Sequence, residues 1–294
     1  LNSESQYYIP NLKNEYTYDE NGNRTLYISY TWNSESQSFV PSWKDEYSYD
    51  DNENLTLNIS YNWDTTSQSF IPYIKTESNY DENGNQTIRI GYSWDTESQS
   101  FVPKWKNEYS FDDNGNQTLY IYYRWNTESQ SFVPKDKREF TYDENGKEIL
   151  YISYFWDTNT QSYIPSRKHE LNYDENNNLT FYIYYDWSTE SQSFVPDYKS
   201  ENTYDENGNL VFSSQYEWNS ESQSFIPNGE TFEFTYDDNQ NLVLEIWFGW
   251  NSLTNSFYQR NKFIHSYDEN NMMNYCEVHK WNRNLGLMKP FIKT

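Results

Sequence analysis

A tryptophan returns every 31 residues: Trp32, Trp63, Trp94, Trp125, Trp156, Trp187 and Trp218, then Trp250 after 32 and Trp281 after 31. Other residues keep the same step. An aromatic-Asp pair recurs at Tyr18, Tyr49, Tyr80, Phe111, Tyr142, Tyr173, Tyr204, Tyr236 and Tyr267, and prolines recur at 10, 41, 72, 103, 134, 165, 196 and 227. A period of this length means one supersecondary unit stacked on copies of itself, so the repeat decides the fold class before composition is consulted. The one-residue insertion lies near Asn228 and Gly229.

Within each unit the pattern alternates with period two, which is that of a strand. Leu26, Ile28, Tyr30 and Trp32 fall on one side; Thr25, Tyr27, Ser29 and Thr31 fall on the other. The next strand, from about Phe39 to Asp50, places Phe39, Pro41, Trp43, Asp45, Tyr47 and Tyr49 together, opposite Val40, Ser42, Lys44, Glu46 and Ser48. The chain contains no alanine, while Tyr, Phe and Trp make up 20% of it. That balance disfavours helices and favours strands. The predicted fold is all-β: an antiparallel β-hairpin repeat array of about nine 31-residue repeats with two strands each, a meander coiled into a solenoid, spiral or tube. It is expected to run through 1–294 as one continuous array beginning and ending mid-repeat, with 260–294 divergent and capping.

The phrase DENGN at Asp19 returns as DDNEN at Asp50, DENGN at Asp81, DDNGN at Asp112 and DENGK at Asp143. A three-residue loop, Glu20 to Gly22, with Gly22 at positive φ, sets Asp19 against Asn23. Carried down the hairpin, it sets Tyr16 against Leu26, Leu12 against Tyr30, Pro10 against Trp32, and Lys13 and Glu15 against Ser29 and Tyr27. A two-residue turn would set every aromatic against a polar column. Glu53, Asn177, Gln240 and Asn271 occupy the glycine slot in other repeats, and the Glu and Gln there are expected to be strained or to change the loop. Turn chemistry accounts for the phrase, with Ca²⁺ at Asp19, Asp50, Asp81 and Asp112 as the alternative reading. The opposite loops, such as NSESQ, fit a four-residue turn from Ser34 to Gln37 that pairs Trp32 with Phe39. The nine tryptophans then form a ladder with prolines and phenylalanines.

At YDENGN-x-T the sequence resembles the YD hairpin repeats of large bacterial and animal surface proteins, the Rhs and teneurin type. That resemblance implies a strip of hairpins that coils. The whole unit is similar to repeat regions of secreted Bacteroidota proteins exported by the type IX system, which implies an extracellular or cell-surface location.

A formal net charge of -24 disfavours nucleic acid and anionic membranes as partners. No apolar run approaches ~18 residues, so membrane insertion by a helix is not expected. The single Cys276 excludes an intrachain disulfide. The chain starts at Leu1 in a Trp column and ends just past a Lys column, so it is expected to continue on one or both sides. No phosphate loop, zinc spacing or nucleophile elbow is present. Cys276 and His279 alone are too few for a metal site. A repeated unit offers no unique catalytic constellation. The expected function is a non-enzymatic extracellular structural repeat protein: a stalk, adhesin segment or filament subunit. Its partners would be further repeats or other copies of itself, joined through strand edges. The alternative is a multivalent carbohydrate-binding module in which Tyr27, Tyr120, Tyr151 and Tyr182, on the face expected to carry Lys44 and Glu46, stack on sugars.

Overall fold

A computed structural model describes residues 11–282 and 287–291. They form strands joined by tight turns, with no helix among them. The chain divides into two compact units: residues up to Arg138 with Trp156–Ser162, and Glu139–Phe155 with Tyr163 onward. In the first unit the strands are β1 (Leu12–Tyr18), β2 (Arg24–Asn33), β3 (Ser38–Tyr49), β4 (Leu55–Asp64), β5 (Ser69–Tyr80), β6 (Gln86–Asp95), β7 (Ser100–Phe111) and β8 (Gln117–Asn126). Each pairs antiparallel with the next. In the second unit the same meander runs from Ser162–Tyr173 to Leu287–Phe291. The β-hairpin repeat array is therefore present as expected. Pro10 lies outside the described residues.

The DENGN turn forms for the reason read from the sequence. The Asp19 amide donates to the Asn23 carbonyl at 2.9 Å, and the Gly22 amide donates to the Asp19 carbonyl at 3.2 Å. Gly22 has φ +88°. Where glycine is missing the loop is kept and the backbone bears the cost. Glu53 has φ 67° and Gln240 has φ 65°, with the same amide-to-Asp-carbonyl bond. The opposite four-residue loop also has a left-handed residue, Gln37 at φ 51°, and the same conformation recurs at Gln68, Gln99 and Gln130. The loop pairs Trp32 with Phe39 as expected.

The register away from the turns differs from the expectation. Tyr16 lies opposite Tyr27, not Leu26; Lys13 lies opposite Tyr30, and Glu15 opposite Ile28. An extra residue, Thr25, bulges from β2 between the pairs Thr17–Leu26 and Tyr18–Arg24. A second extra residue, Ser42, bulges from β3 between Ser29–Trp43 and Tyr30–Pro41. A bulge sets two residues against one, so every side chain beyond it changes faces. Lys44 and Glu46 consequently share a face with Ile28, Tyr30 and Trp32, while Trp43, Asp45 and Tyr47 join Tyr27 on the other. This reverses the expected partition of that strand. The proline directly preceding the bulge needs no ladder donor there, consistent with its missing N–H.

Successive hairpins are staggered. Glu46 lies opposite Ile59, and Ile59 opposite Lys75, so the lysine of one hairpin sits level with the glutamate of the previous one. The offset is two residues, ~6.6 Å along the strand. Within each unit the strands pack on their neighbours in sequence. Among the described apolar residues only Ile183 is buried, at 8% exposure; most strand residues are half-buried.

The turn slot gives a test that needs no ligand. Gly115 has φ +83°, and an added Cβ would meet Asn85 Oδ1 at an ordinary contact distance of 3.9 Å, so Gly115→Ala should destabilise by about 1 kcal/mol through backbone strain. Gln240→Gly should stabilise by about the same amount. Urea unfolding of the two variants should shift the midpoint in opposite directions.

Candidate functional site: a copied face and a varied face

Each face carries its own chemistry. On the face of Ile28, Tyr30 and Trp32, one three-residue cluster repeats. Lys44 Nζ donates to Glu46 Oε1 at 2.8 Å, Tyr61 OH donates to Glu46 Oε2 at 2.6 Å, and Lys44 Nζ stands 3.8 Å from the centre of the Tyr61 ring. Lys75–Glu77–Tyr92, Lys106–Glu108–Tyr123, Lys168–Glu170–Tyr185 and Lys199–Glu201–Tyr216 repeat it. Each lysine also reaches a phenylalanine ring, as Lys44 does Phe70 at 5.4 Å. The tryptophan ladder lies beyond: Trp32–Phe39, Trp63–Phe70, Trp94–Phe101 and Trp125–Phe132, and likewise Trp187–Phe194, Trp218–Phe225 and Trp250–Phe257, meet edge-on at 4.8 to 5.1 Å. Trp156 is also engaged, and Trp281 lies opposite Met288.

Burial beneath the tyrosine raises the Glu46 carboxyl, but hydrogen bonds from Lys44 and Tyr61 outweigh it, and the group lies below the usual carboxylate range. Glu77, Glu108 and Glu170 behave alike. Burial and the hydrogen bond to glutamate raise Tyr61, Tyr92 and Tyr185. In the more open first hairpin the hydrogen bond to Glu15 leads, and Tyr30 is pushed up to about 12.

The other face keeps its Val40 column, which is Val or Ile from Val40 to Ile226, and varies along most of the rest. The Ile28 column holds Ile at 28, 59, 90, 121, 152, 183 and 246, and the Tyr30 column is Tyr through Tyr216. Between the Tyr30 and Trp32 columns, the Thr31 column reads Thr31, Asn62, Ser93, Arg124, Phe155, Asp186, Glu217, Gly249 and Lys280: nine different residues in nine repeats. The Trp43 column reads Trp43, Ile74, Trp105, Asp136, Arg167 and Tyr198, and the Asp45 column is as mixed. Alternate positions of the same strands are thus copied and varied. This was readable in the sequence, but only after the bulge had assigned Lys44 and Glu46 to the copied side.

The sequence-predicted sugar-binding tyrosines stand on the varied face, away from Lys44 and Glu46. They are half-buried and engaged by neighbours. Tyr27 lies 5.3 Å from the Tyr16 ring and donates to Asn14 Oδ1 at 3.3 Å. Tyr120 lies 5.5 Å from Tyr109, donates to Asn107 Oδ1 at 3.3 Å, and has the Arg138 guanidinium 5.3 Å from its ring. Tyr151 packs on Phe140 and His169, and Tyr182 meets His169 Nδ1 at 3.1 Å. Burial lowers His169. The same column holds Asn58, Arg89, Ser213, Glu245 and Cys276, so these tyrosines do not form one repeated site. Every arginine with a described side chain, at 24, 89, 124, 138, 167 and 260, stands on the varied face or at its bulge.

The acidic turns spend their oxygens locally. Asp50 Oδ1 accepts the Asn52 and Asn54 amides at 3.0 and 2.8 Å, and Oδ2 accepts Asn54 Nδ2 at 3.1 Å. Asp19, Asp81 and Asp112 repeat the pattern. The Asn54 side-chain bond leads in lowering Asp50, and the equivalent bonds do so for Asp81 and Asp112. Among the described residues no three His, Cys, Asp or Glu converge as metal ligands. Cys276 lies opposite His265, whereas His279 falls in the Tyr30 column, so the two point to opposite faces.

No family model and no curated protein matches the chain. Solved structures with a similar arrangement of strands include a DUF3836 family protein from Bacteroides vulgatus (15% identity, 32% of this chain and 90% of that one, TM-score 0.28). Others are TcdB2-TccC3-TEV (10%, 90% and 17%, 0.28) and a Tc holotoxin pore from Photorhabdus luminescens (10%, 88% and 16%, 0.28). A porin-like protein from Bacteroides uniformis also matches (8%, 80% and 89%, 0.27). These likenesses carry neither activity nor partner over to this chain.

The titration directions fix a pH profile. Glutamates and aspartates held low stabilise the fold above about pH 4.5, and that stability is lost as pH falls through their lowered folded values. Tyrosines held high stabilise it below about pH 10, and that share is lost as pH rises through their raised folded values. Melting followed by circular dichroism should be flat from about pH 6 to 9 and fall on both sides. Tyr92→Phe should cost about 1 kcal/mol at neutral pH, less than the ~1.5–3 kcal/mol of a buried charge-assisted hydrogen bond, because Glu77 is 42% exposed. A variant with unchanged midpoint would remove the cluster from the stability account.

Proposed function

We propose that this chain is a non-enzymatic recognition scaffold of the cell surface or exterior, in which the copied face builds the sheet and the varied face contacts a macromolecular ligand. The observation that carries the reading is the Thr31 column, nine residue types flanked by two columns that hardly change. Packing requirements in a regular array are the same from repeat to repeat, so they hold a position constant. A position that differs in every copy is released from packing and free to serve contact with a ligand. The composition of that face supports the same conclusion, since Tyr, Trp, Arg, Asn and Ser are the residues of adaptable recognition surfaces. A stalk or filament subunit uses the copied face alone and gives the variation no task. A periodic sugar array would need one residue type in the Tyr27 column, and that column changes.

A substitution scan of the surface-displayed protein, sorted for protease resistance, tests this division without a known ligand. Substitutions in the Ile28, Tyr30, Trp32, Lys44 and Glu46 columns should lower resistance, whereas those in the Ser29, Thr31, Trp43 and Asp45 columns should be neutral in most repeats. Equal intolerance on both faces would show that the variety is packing, and would overturn the reading.

A further inference from the structure

One patch of the varied face is built more specifically than the rest. On β6, β7 and β8, Gly91 lies opposite Trp105 and Trp105 opposite Arg124; in the adjoining row Arg89 lies opposite Asn107 and Asn107 opposite Tyr122. Gly91 is buried, and a Cβ added to it would come 2.1 Å from Trp105 Cε2 and 2.4 Å from Cζ2. The indole therefore lies across the glycine backbone, in space that the serines of the Ser29 and Ser60 repeats would fill. A ring laid on the sheet in this way presents its other face outward, and Trp105 is only half-buried. The Arg89 guanidinium is 5.7 Å from the ring centre. Arg89 and Arg124 are both exposed. Asn107 Oδ1 accepts the Tyr120 hydroxyl, which leaves its amide hydrogens for another acceptor.

We infer that this patch is a subsite for an acidic sugar, a pyranose bearing a carboxylate or sulfate. The inference rests on the varied face being the ligand face. The apolar face of a pyranose fits a flat indole. Guanidinium groups match the geometry of carboxylate and sulfate oxygens better than lysine does, and the Asn107 amide suits a ring hydroxyl. Charge complementarity is local. The chain carries -24 overall, yet its described arginines are on this face or at its bulge, and at physiological ionic strength charges farther than about 8 Å are largely screened. The Lys–Glu pairs of the copied face are internally neutralised and compete little for the ligand.

Oligogalacturonate and chondroitin sulfate, titrated calorimetrically into the full chain, are the probes, with methyl-esterified oligogalacturonate and oligothymidylate as controls. At least one acidic sugar should bind, and esterification should weaken the galacturonate at least tenfold. Gly91→Ser, which lifts the indole off the sheet, should weaken binding at least tenfold. Arg89→Asn with Arg124→Thr should do the same and flatten the salt dependence. These replacements introduce the residues found at Ser60, Asn58 and Thr31, so the melting midpoint should hold and report an intact fold. Binding of neither acidic sugar overturns the inference. So does binding insensitive to Gly91→Ser, or oligothymidylate bound as tightly as the sugars, which marks a nonspecific polyanion surface. In those cases a tolerant varied face in the substitution scan leaves the recognition reading standing with a different ligand.

Discussion

The glutamate between a lysine and a tyrosine is the interaction on which the array depends. A sheet with almost no fully buried apolar side chain among its described residues cannot draw its stability from a conventional core. Its strands must be shielded by the side chains standing on them. Lys44 and Tyr61 each combine a long apolar body with a polar end, and Glu46 ties the two ends together. The lysine chain then lies over the tyrosine ring and reaches the Phe70 ring beside the tryptophan ladder. Each cluster is worth little alone, because its charges are part-exposed. The same cluster in successive hairpins, offset by two residues, covers the face without a second layer.

The bulge at Ser42 makes this cluster possible. Without it Lys44 and Glu46 would stand on the side of Tyr27, and Trp43 and Asp45 would take their place beneath Tyr61. One inserted residue thus decides which columns are obliged to repeat and which are released. The eighth repeat shows the constraint from the other side. Its lysine is replaced by Thr231, which bonds Ser214 in place of an isoleucine, and both hydroxyls are buried. Burying two hydroxyls is tolerable because each satisfies the other. Its tyrosine is replaced by Phe248, which has no hydroxyl to donate to Glu233.

Release of one face explains how a regular array can carry a particular surface. Trp105 over Gly91 occurs in one hairpin. Its second-unit analogue is chemically different: an added Cβ on Gly249 would come 2.5 Å from the Tyr258 ring. Both sites use a glycine to let an aromatic lie close to the backbone, and both are on the face whose residues change from copy to copy. The copied face supplies a uniform support on which such differences cost little.

The sequence by itself determined the fold class, the hairpin turns and the tryptophan ladder. These depend on residues close in the chain: Asp19 reaching two and four residues ahead, a left-handed slot at Gly22, and a four-residue loop that brings Trp32 to Phe39. It also contained the varied columns, since nine copies can be compared without any relative. What only the tertiary structure decided was which columns share a face. A bulge adds one residue to one strand and leaves no mark in a period-two pattern that both faces satisfy equally well. Side chains on neighbouring strands choose it, because only the bulged register lets lysine, glutamate and tyrosine meet. The Trp105 patch was hidden for the same reason, since Gly91, Trp105 and Arg124 come from three strands and meet only through that register.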